Sequence, residues 1–152
     1  MEDVSLRALT KDDLPTIYAF NSDPVALAMV GMPPREEEDF YAHRARNAAR
    51  PDNESRAITV GGELVGDIVS WVDEDGQRRL GYWLGQEFWG RGIATAALTA
   101  FIAELPDRPL YADVLRTNVG SLRVLQKCGF RILSEDERGP DHDPEELTLR
   151  LE

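Results

Sequence analysis

The stretch FWGRGIATAALTAFIAELP, residues 88–106, places Gly90 and Gly92 on either side of Arg91, directly before an alanine-rich apolar run. Gly inside a helix costs roughly 1 kcal/mol relative to Ala. A helix that opens on two glycines therefore has a use for bare backbone at its start. The run RRLGYWLG, residues 78–85, precedes it and reads as a strand. The chain is thus constrained to pass from a strand, through a glycine turn, into a helix predicted over residues 90–104. The first turn of a helix carries N–H groups without helical partners. The aligned peptide dipoles add about half a positive charge there. With no Cβ at Gly90 or Gly92 and a cation at Arg91, the turn is a candidate phosphate cradle. Two common cradles are ruled out. No Gly-Lys-Ser/Thr follows, and Thr95 stands where a dinucleotide fingerprint has its third glycine.

Around this turn the pattern is mixed α/β. Residues 4–9 alternate as a first strand. Thr10 and Asp13 resemble a capping box. They open a helix carrying Leu14, Ile17, Tyr18 and Phe20, with Pro15 in the first turn, where its missing N–H is harmless. Residues 21–24 break that helix. A short helix is expected at residues 25–30, then a longer one at 35–50, acidic first and basic last. Residues 56–60, 63–72 and 78–85 form a strand meander turned at Gly61-Gly62 and at residues 73–77. Residues 109–115 read as a strand, and 118–130 as a helix capped by Asn118 and closed by Gly129. Two last strands are expected at residues 130–136 and 145–152, around an acidic loop.

The 152 residues suit one domain, residues 1–152. The net charge of -11 argues against nucleic acid and against an anionic membrane surface. It accords with a cationic ligand, or simply with solubility. Glu36, Glu37, Glu38 and Asp39 are open to the same two readings. The single cysteine, Cys128, excludes an internal disulfide, and His43 and His142 stand apart, so no metal site is expected. The acidic opening lacks the apolar core of a signal peptide, and no run approaches the roughly 20 residues of a membrane span. The expectation is a cytoplasmic protein, monomeric or homodimeric.

Two motifs stand in order along the chain. The first is Glu87, Phe88, Trp89, Gly90, Arg91, Gly92. The second is Asn118 and Ser121, followed by Lys127, Gly129 and Phe130. Together they resemble the GNAT superfamily of acyl-CoA-dependent N-acyltransferases. The resemblance is closest to the branch that acetylates N-terminal amines of ribosomal proteins, and it covers nearly the whole chain. Glu87 departs from the Gln or Arg that the family prefers there. The resemblance implies a GNAT fold: a mixed, mostly antiparallel sheet, splayed between two central parallel strands and flanked by helices. Those strands would be residues 78–85 and 109–115.

It further implies acetyl-CoA as co-substrate. The pyrophosphate would sit on the turn of Glu87, Trp89, Gly90, Arg91, Gly92, Ile93, Ala94 and Thr95. The pantetheine arm would pair with the backbone of Tyr82, Trp83 and Leu84. Their side chains are open to a second reading as core. By the same resemblance Asn118 contacts the CoA arm or the substrate amide, beside its plain role as a helix cap. Ser121, one turn on, points at the sulfur and stabilises the leaving thiolate. The family's later Tyr is missing, because no Tyr follows Tyr111. The base that neutralises the amine is open between a carboxylate, with Glu135 first among Glu135, Asp136 and Glu137, and a water relay. Lys127 reads as surface and Cys128 as core. The reading that follows is transfer of acetyl to a primary amine, of a protein N-terminus or a small molecule, by direct attack. The alternatives are a non-catalytic acyl-CoA-binding module and a nucleotide-binding protein of other chemistry.

Overall fold

A computed structural model describes residues 3–140 and 142–152. Its strands are β1 (Val4–Ala8), β2 (Glu54–Val60), β3 (Glu63–Val72), β4 (Arg78–Leu84), β5 (Leu110–Leu115), β6 (Arg131–Ile132) and β7 (Glu146–Leu151). They form one seven-stranded sheet in the order β1-β2-β3-β4-β5-β7-β6. Neighbours pair antiparallel except β4 and β5, which run parallel. That parallel pairing holds only at Arg78↔Leu110 and Arg79↔Tyr111. Beyond it the two strands part, which is the splayed sheet the sequence led us to expect.

The helices are α1 (Leu14–Asn21), α2 (Pro24–Val30), α3 (Glu37–Ala48), α4 (Ile93–Glu104), α5 (Val119–Lys127) and α6 (Glu135–Arg138). Successive side chains of a strand point to opposite faces. Ile68, Leu80, Tyr82 and Leu84 share the face that meets α4 and α5. On α4 the buried residues are Ile93, Ala97, Leu98 and Phe101, spaced as one helix face. With Leu125 of α5 they form the main core over that face of the sheet. Burying each large apolar side chain there contributes roughly 1.5–3 kcal/mol. Asp67, Val69, Trp71 and Trp83 share the other face. There Trp83 donates its indole N–H to the Phe20 carbonyl of α1 (3.0 Å), and Arg44 of α3 reaches Asp67.

Close pairing of β3 and β4 depends on Gly66. A Cβ at that position would collide with the Trp83 carbonyl. The same glycine lies beside a bulge, where the β2–β3 register shifts between Ile58 and Thr59.

Two expectations need correction. The strand expected over residues 130–136 lasts only for Arg131–Ile132, because Ser134 then opens a capping box. The Ser134 hydroxyl accepts from Glu137 N–H (3.3 Å), and the Glu137 carboxylate accepts from Ser134 N–H (3.0 Å). That exchange turns the chain into α6. A 3-10 turn at Gln86–Phe88, unforeseen in the sequence, also separates β4 from the glycines. The helix after it begins at Ile93 rather than at residue 90.

Candidate functional site

The parting of β4 from β5 opens a gap through the sheet, and a cavity of about 1680 Å³ passes through it. Along one wing run Leu84, Trp89, Gly90, Gly92, Ile93, Ala94, Thr95, Asn118 and Ser121. Along the other run Phe40, Tyr41, His43, Arg44, Asp67 and Trp71. Tyr82 and Trp83 lie between the two wings. Elements as distant in the chain as α3 and α5 thus share one continuous space.

The glycine turn lies at one end. Gly90 has φ 74° and Gly92 φ 77°, both in the left-handed region that L side chains avoid. Gly92 is the N-cap of α4, and no side chain caps the helix. Ala96 N–H, bonded to the Gly92 carbonyl (3.2 Å), marks where the helical ladder begins. The amides of Ile93, Ala94 and Thr95 precede that bond. A Cβ on Gly90 or Gly92 would meet no atom within 4 Å, so open space lies in front of both. Bare amides, a helix N-terminus and vacant room fit the phosphates of a nucleotide-bearing ligand. Arg91 stacks over Phe88, 5.6 Å from the ring centroid. Glu87 is exposed in the preceding 3-10 turn.

The edge of β4 is more selective than the sequence suggested. The Trp83 carbonyl is directed at β3, where it would meet a Cβ on Gly66. Backbone groups alternate sides along a strand. The open edge is therefore offered by Tyr82 and Leu84, with Trp83 turned inward. The Leu84 carbonyl already accepts the Trp89 indole N–H (3.1 Å).

Across the gap, Asn118 caps α5. Its Oδ1 accepts from Ser121 N–H at 3.3 Å. No hydrogen bond engages its Nδ2 among the described residues, so that donor is available to a ligand. Ser121 Oγ lies 2.7 Å from the Tyr82 hydroxyl. Burial pushes the Tyr82 phenol up to about 12, so it carries its proton throughout the neutral range. Sequence reasoning assigned a role only to the Tyr82 backbone and sought a tyrosine on the later helix. The phenol that meets Ser121 belongs to β4, 39 residues earlier in the chain. Cys128 packs between α4 and α5, with Sγ 3.6 Å from the Thr99 hydroxyl, and it is near enough to Tyr82 to add to the rise of that phenol.

The carboxylates are distributed differently from expectation. Glu135 is exposed at the start of α6 and does not line the cavity; nor do Asp136 and Glu137. The cavity carboxylates are Glu54, Asp67, Asp113 and Glu146. Of the acidic segments singled out in the sequence, residues 35–39 supply only Arg35 to the wall and residues 134–146 only Glu146. Within the latter, Asp141 lies outside the described residues. Glu54 is paired with Arg56 (3.2 Å). Asp113 is paired with Arg79 and accepts from the Thr148 hydroxyl, each at 2.7 Å. Asp67 is buried against Arg44 at 2.6 Å. Burial pushes its carboxyl up while Arg44 pulls it down, with a net rise. Burial also lowers His43, aided by Arg35, Arg44 and Arg46, so its imidazole is held neutral.

Among the described residues, no helix is long and apolar enough to cross a membrane, and no group of His, Cys, Asp or Glu is arranged to hold a metal ion.

Comparison with known proteins bears on this geometry. The model of the acetyltransferase (GNAT) domain family matches residues 3–131. An acetyltransferase from Agrobacterium tumefaciens str. C58 superposes with a TM-score of 0.77 at 25% identity, over 98% of this chain and 90% of its own. An aminoglycoside acetyltransferase in complex with coenzyme A gives 0.78 at 19% identity, over 97% and 92%. The spermidine N-acetyltransferase of Vibrio cholerae, in complex with CoA and spermine, gives 0.75 at 16% identity, over 97% and 92%. At those last two identities the likeness is one of fold. No curated protein matches the chain.

Proposed function

Because the chain belongs to the GNAT acetyltransferase domain family, we propose that it moves an acetyl group from acetyl-CoA to a primary amine by direct attack in a ternary complex. The observation that carries this reading is a single one. The vacant glycine turn, the open edge of β4 and the Tyr82–Ser121 hydroxyl pair face the same cavity. The pyrophosphate would rest on the amides of Ile93, Ala94 and Thr95, before Gly90 and Gly92, with Trp89 and Arg91 alongside. Glu87, an acid where the family prefers Gln or Arg, would add little to that contact. The pantetheine arm would lie along the edge of Tyr82 and Leu84, with the Asn118 Nδ2 donor opposite.

A thioester carbonyl set against a β4 amide would be polarised as its oxygen gains charge. Ser121 and Tyr82 would act on the sulfur. A thiol of ordinary pKa near 8.5 leaves more readily when a donor meets its developing charge. The two hydroxyls, already hydrogen-bonded to each other, supply that donor. Glu135 is exposed on α6 and does not line the cavity, so the cavity carboxylates replace it in our reading. Within the family we set the chain beside the branch acting on N-terminal amines of ribosomal proteins, on the run GYWLGQEFWGRGIATAAL. The acceptor is then a protein N-terminus or a small amine.

The test is release of free thiol from acetyl-CoA in the presence of a panel of peptides, polyamines, amino sugars and simple alkylamines. Amine-dependent release supports the reading. CoA binding with no release for any amine would leave a non-catalytic acyl-CoA-binding module.

A further inference from the structure

Acyl transfer as described leaves one piece of buried polar chemistry unused. Asp67, on β3, is 3% exposed and lines the cavity wing opposite the glycine turn. Arg44 of α3 reaches its Oδ2 at 2.6 Å. That guanidinium is itself held over the Phe40 ring, 5.2 Å from the centroid. No hydrogen bond reaches Oδ1 among the described residues. That oxygen opens onto the cavity, whose wall also presents Phe40, Tyr41, Trp71 and Trp83. A carboxylate among aromatic faces is the chemistry that holds an ammonium group.

Position singles out Asp67 among the cavity carboxylates. It is the direct cross-strand partner of Trp83, and such partners have Cα atoms about 4.5–5.5 Å apart. It therefore stands one strand from the open edge of β4. Glu146 stands on β7 opposite Leu115, on the far side of β5. The Glu54 side chain is open to solvent at the start of β2, and both oxygens of Asp113 are taken, by Arg79 and the Thr148 hydroxyl.

We infer that Asp67, steadied by Arg44, receives the ammonium group of the acceptor on Oδ1 and takes its proton before the amine attacks. The inference rests on the acyl-transfer reading. One ammonium proton passes to the Asp67 carboxylate, directly or through one water. The freed nitrogen lone pair forms the N–C bond, and the C–S bond breaks with its electron pair going to sulfur. A second nitrogen proton converts that thiolate to thiol by way of the Ser121 and Tyr82 hydroxyls. The proton on Asp67 returns to solvent when the amide leaves. Arg44 is a positioning residue: it fixes the carboxylate and leaves one oxygen for the substrate.

The experiment measures thiol release at pH 7 with two kinds of acceptor. One is the best primary alkylamine of the panel, an ammonium ion at that pH. The other is methoxyamine, which is neutral there. Asp67→Asn should lower kcat/KM for the alkylamine 100-fold or more, and for methoxyamine by a factor at least tenfold smaller. Because Asp67→Asn strands Arg44, the double variant Arg44→Met/Asp67→Asn repeats the comparison with neither charge present. It should show the same selective loss. Thermal melting and CoA calorimetry establish that each variant is folded. A folded, CoA-binding variant within threefold of the parent on the alkylamine overturns the inference, as do equal losses on both acceptors. A parent protein that releases no thiol with any amine overturns the acyl-transfer reading itself and this inference with it.

Discussion

Ser121 and Tyr82 form a unit whose chemistry neither has alone. A serine hydroxyl is a very weak acid, and burial pushes the Tyr82 phenol up to about 12, so neither gives up its proton readily at neutral pH. Their 2.7 Å contact lets one polarise the other as charge grows on a leaving sulfur. Removing an interaction that strengthens only in the transition state lowers kcat and leaves KM nearly unchanged. Ser121→Ala and Tyr82→Phe should each lower kcat about 10- to 100-fold at nearly constant KM for acetyl-CoA. The double variant should fall little below the worse single one, because groups acting as a unit are not additive. Steady-state thiol release measures all three. Undiminished turnover in Ser121→Ala would remove the serine from the chemistry, and additive losses would mean two independent roles. The sequence sets Ser121 one helical turn after Asn118, and the resemblance singled it out. Its partner was not legible there, because a contact between a strand and a helix 39 residues apart is set by sheet register and helix packing together. Asp67 and Arg44 escaped for the same reason: one sits mid-strand and the other mid-helix, and only the stacking of α3 on the sheet brings them together.

The elements that carry the site were readable where a local rule governs them. Gly90 and Gly92 announced a turn before α4, Asn118 announced the start of α5, and Thr10 with Asp13 announced the first helical turn. The sequence also contained the Ser134-x-x-Glu137 signature of α6, passed over in favour of a strand because the apolar spacing of residues 130–133 suits either. The glycine turn yields a test that separates strain from function. Gly76 has φ 78° and equally open space, but it sits in an exposed turn outside the cavity. Gly76→Ala and Gly92→Ala should each lose roughly 1–2 kcal/mol to left-handed strain, read as a fall in Tm. Only Gly92→Ala should weaken CoA binding, by tenfold or more, about 1.4 kcal/mol. Calorimetry with equal affinities for the two variants would move the phosphate site elsewhere. At the other end of the chain, Arg7 grips both oxygens of Asp13 at 2.8 Å. Chiefly through that hydrogen bond, it holds the Asp13 carboxyl down to about 2. A depressed carboxyl contributes stability that is complete above its unfolded value, about 3.9. The contribution is lost as pH falls through its folded value. The acid decline in Tm between about pH 4 and about pH 2 should therefore be shallower in Asp13→Asn, which begins from a lower Tm at pH 7. Parallel acid profiles for the two proteins would assign that decline to other carboxylates.

On the scale of the whole molecule, the gap between β4 and β5 joins two surfaces of opposite electrical demand. On the proposed reading, a cofactor with phosphates enters one side of a protein whose net charge is -11. The α4–α5 wing meets that demand with helix-start amides and with Arg123 and Lys127 on the cavity wall. The wing under α3 is more balanced than the acidic segments suggested. Glu36–Asp39 point to solvent at the start of α3, while Arg35, Arg44 and Arg50 join Asp67 and Glu54 on the wall. Any attraction of a cationic acceptor must then come from the long-range field of the acidic surface, with Asp67 acting only at contact. Such fields steer association but are screened beyond roughly 8–10 Å near physiological ionic strength. If the field steers the acceptor, kcat/KM for an alkylammonium should fall about three- to tenfold as salt is raised from low to physiological levels and beyond. The same measurement with methoxyamine should stay flat, since a neutral acceptor feels no field. KM for acetyl-CoA should hold or decrease, because salt also screens the repulsion of its phosphates. A flat profile for the alkylammonium would leave the acidic surface as a solubilising feature alone, and a preference for an anionic acceptor would defeat both the steering and the ammonium site at Asp67.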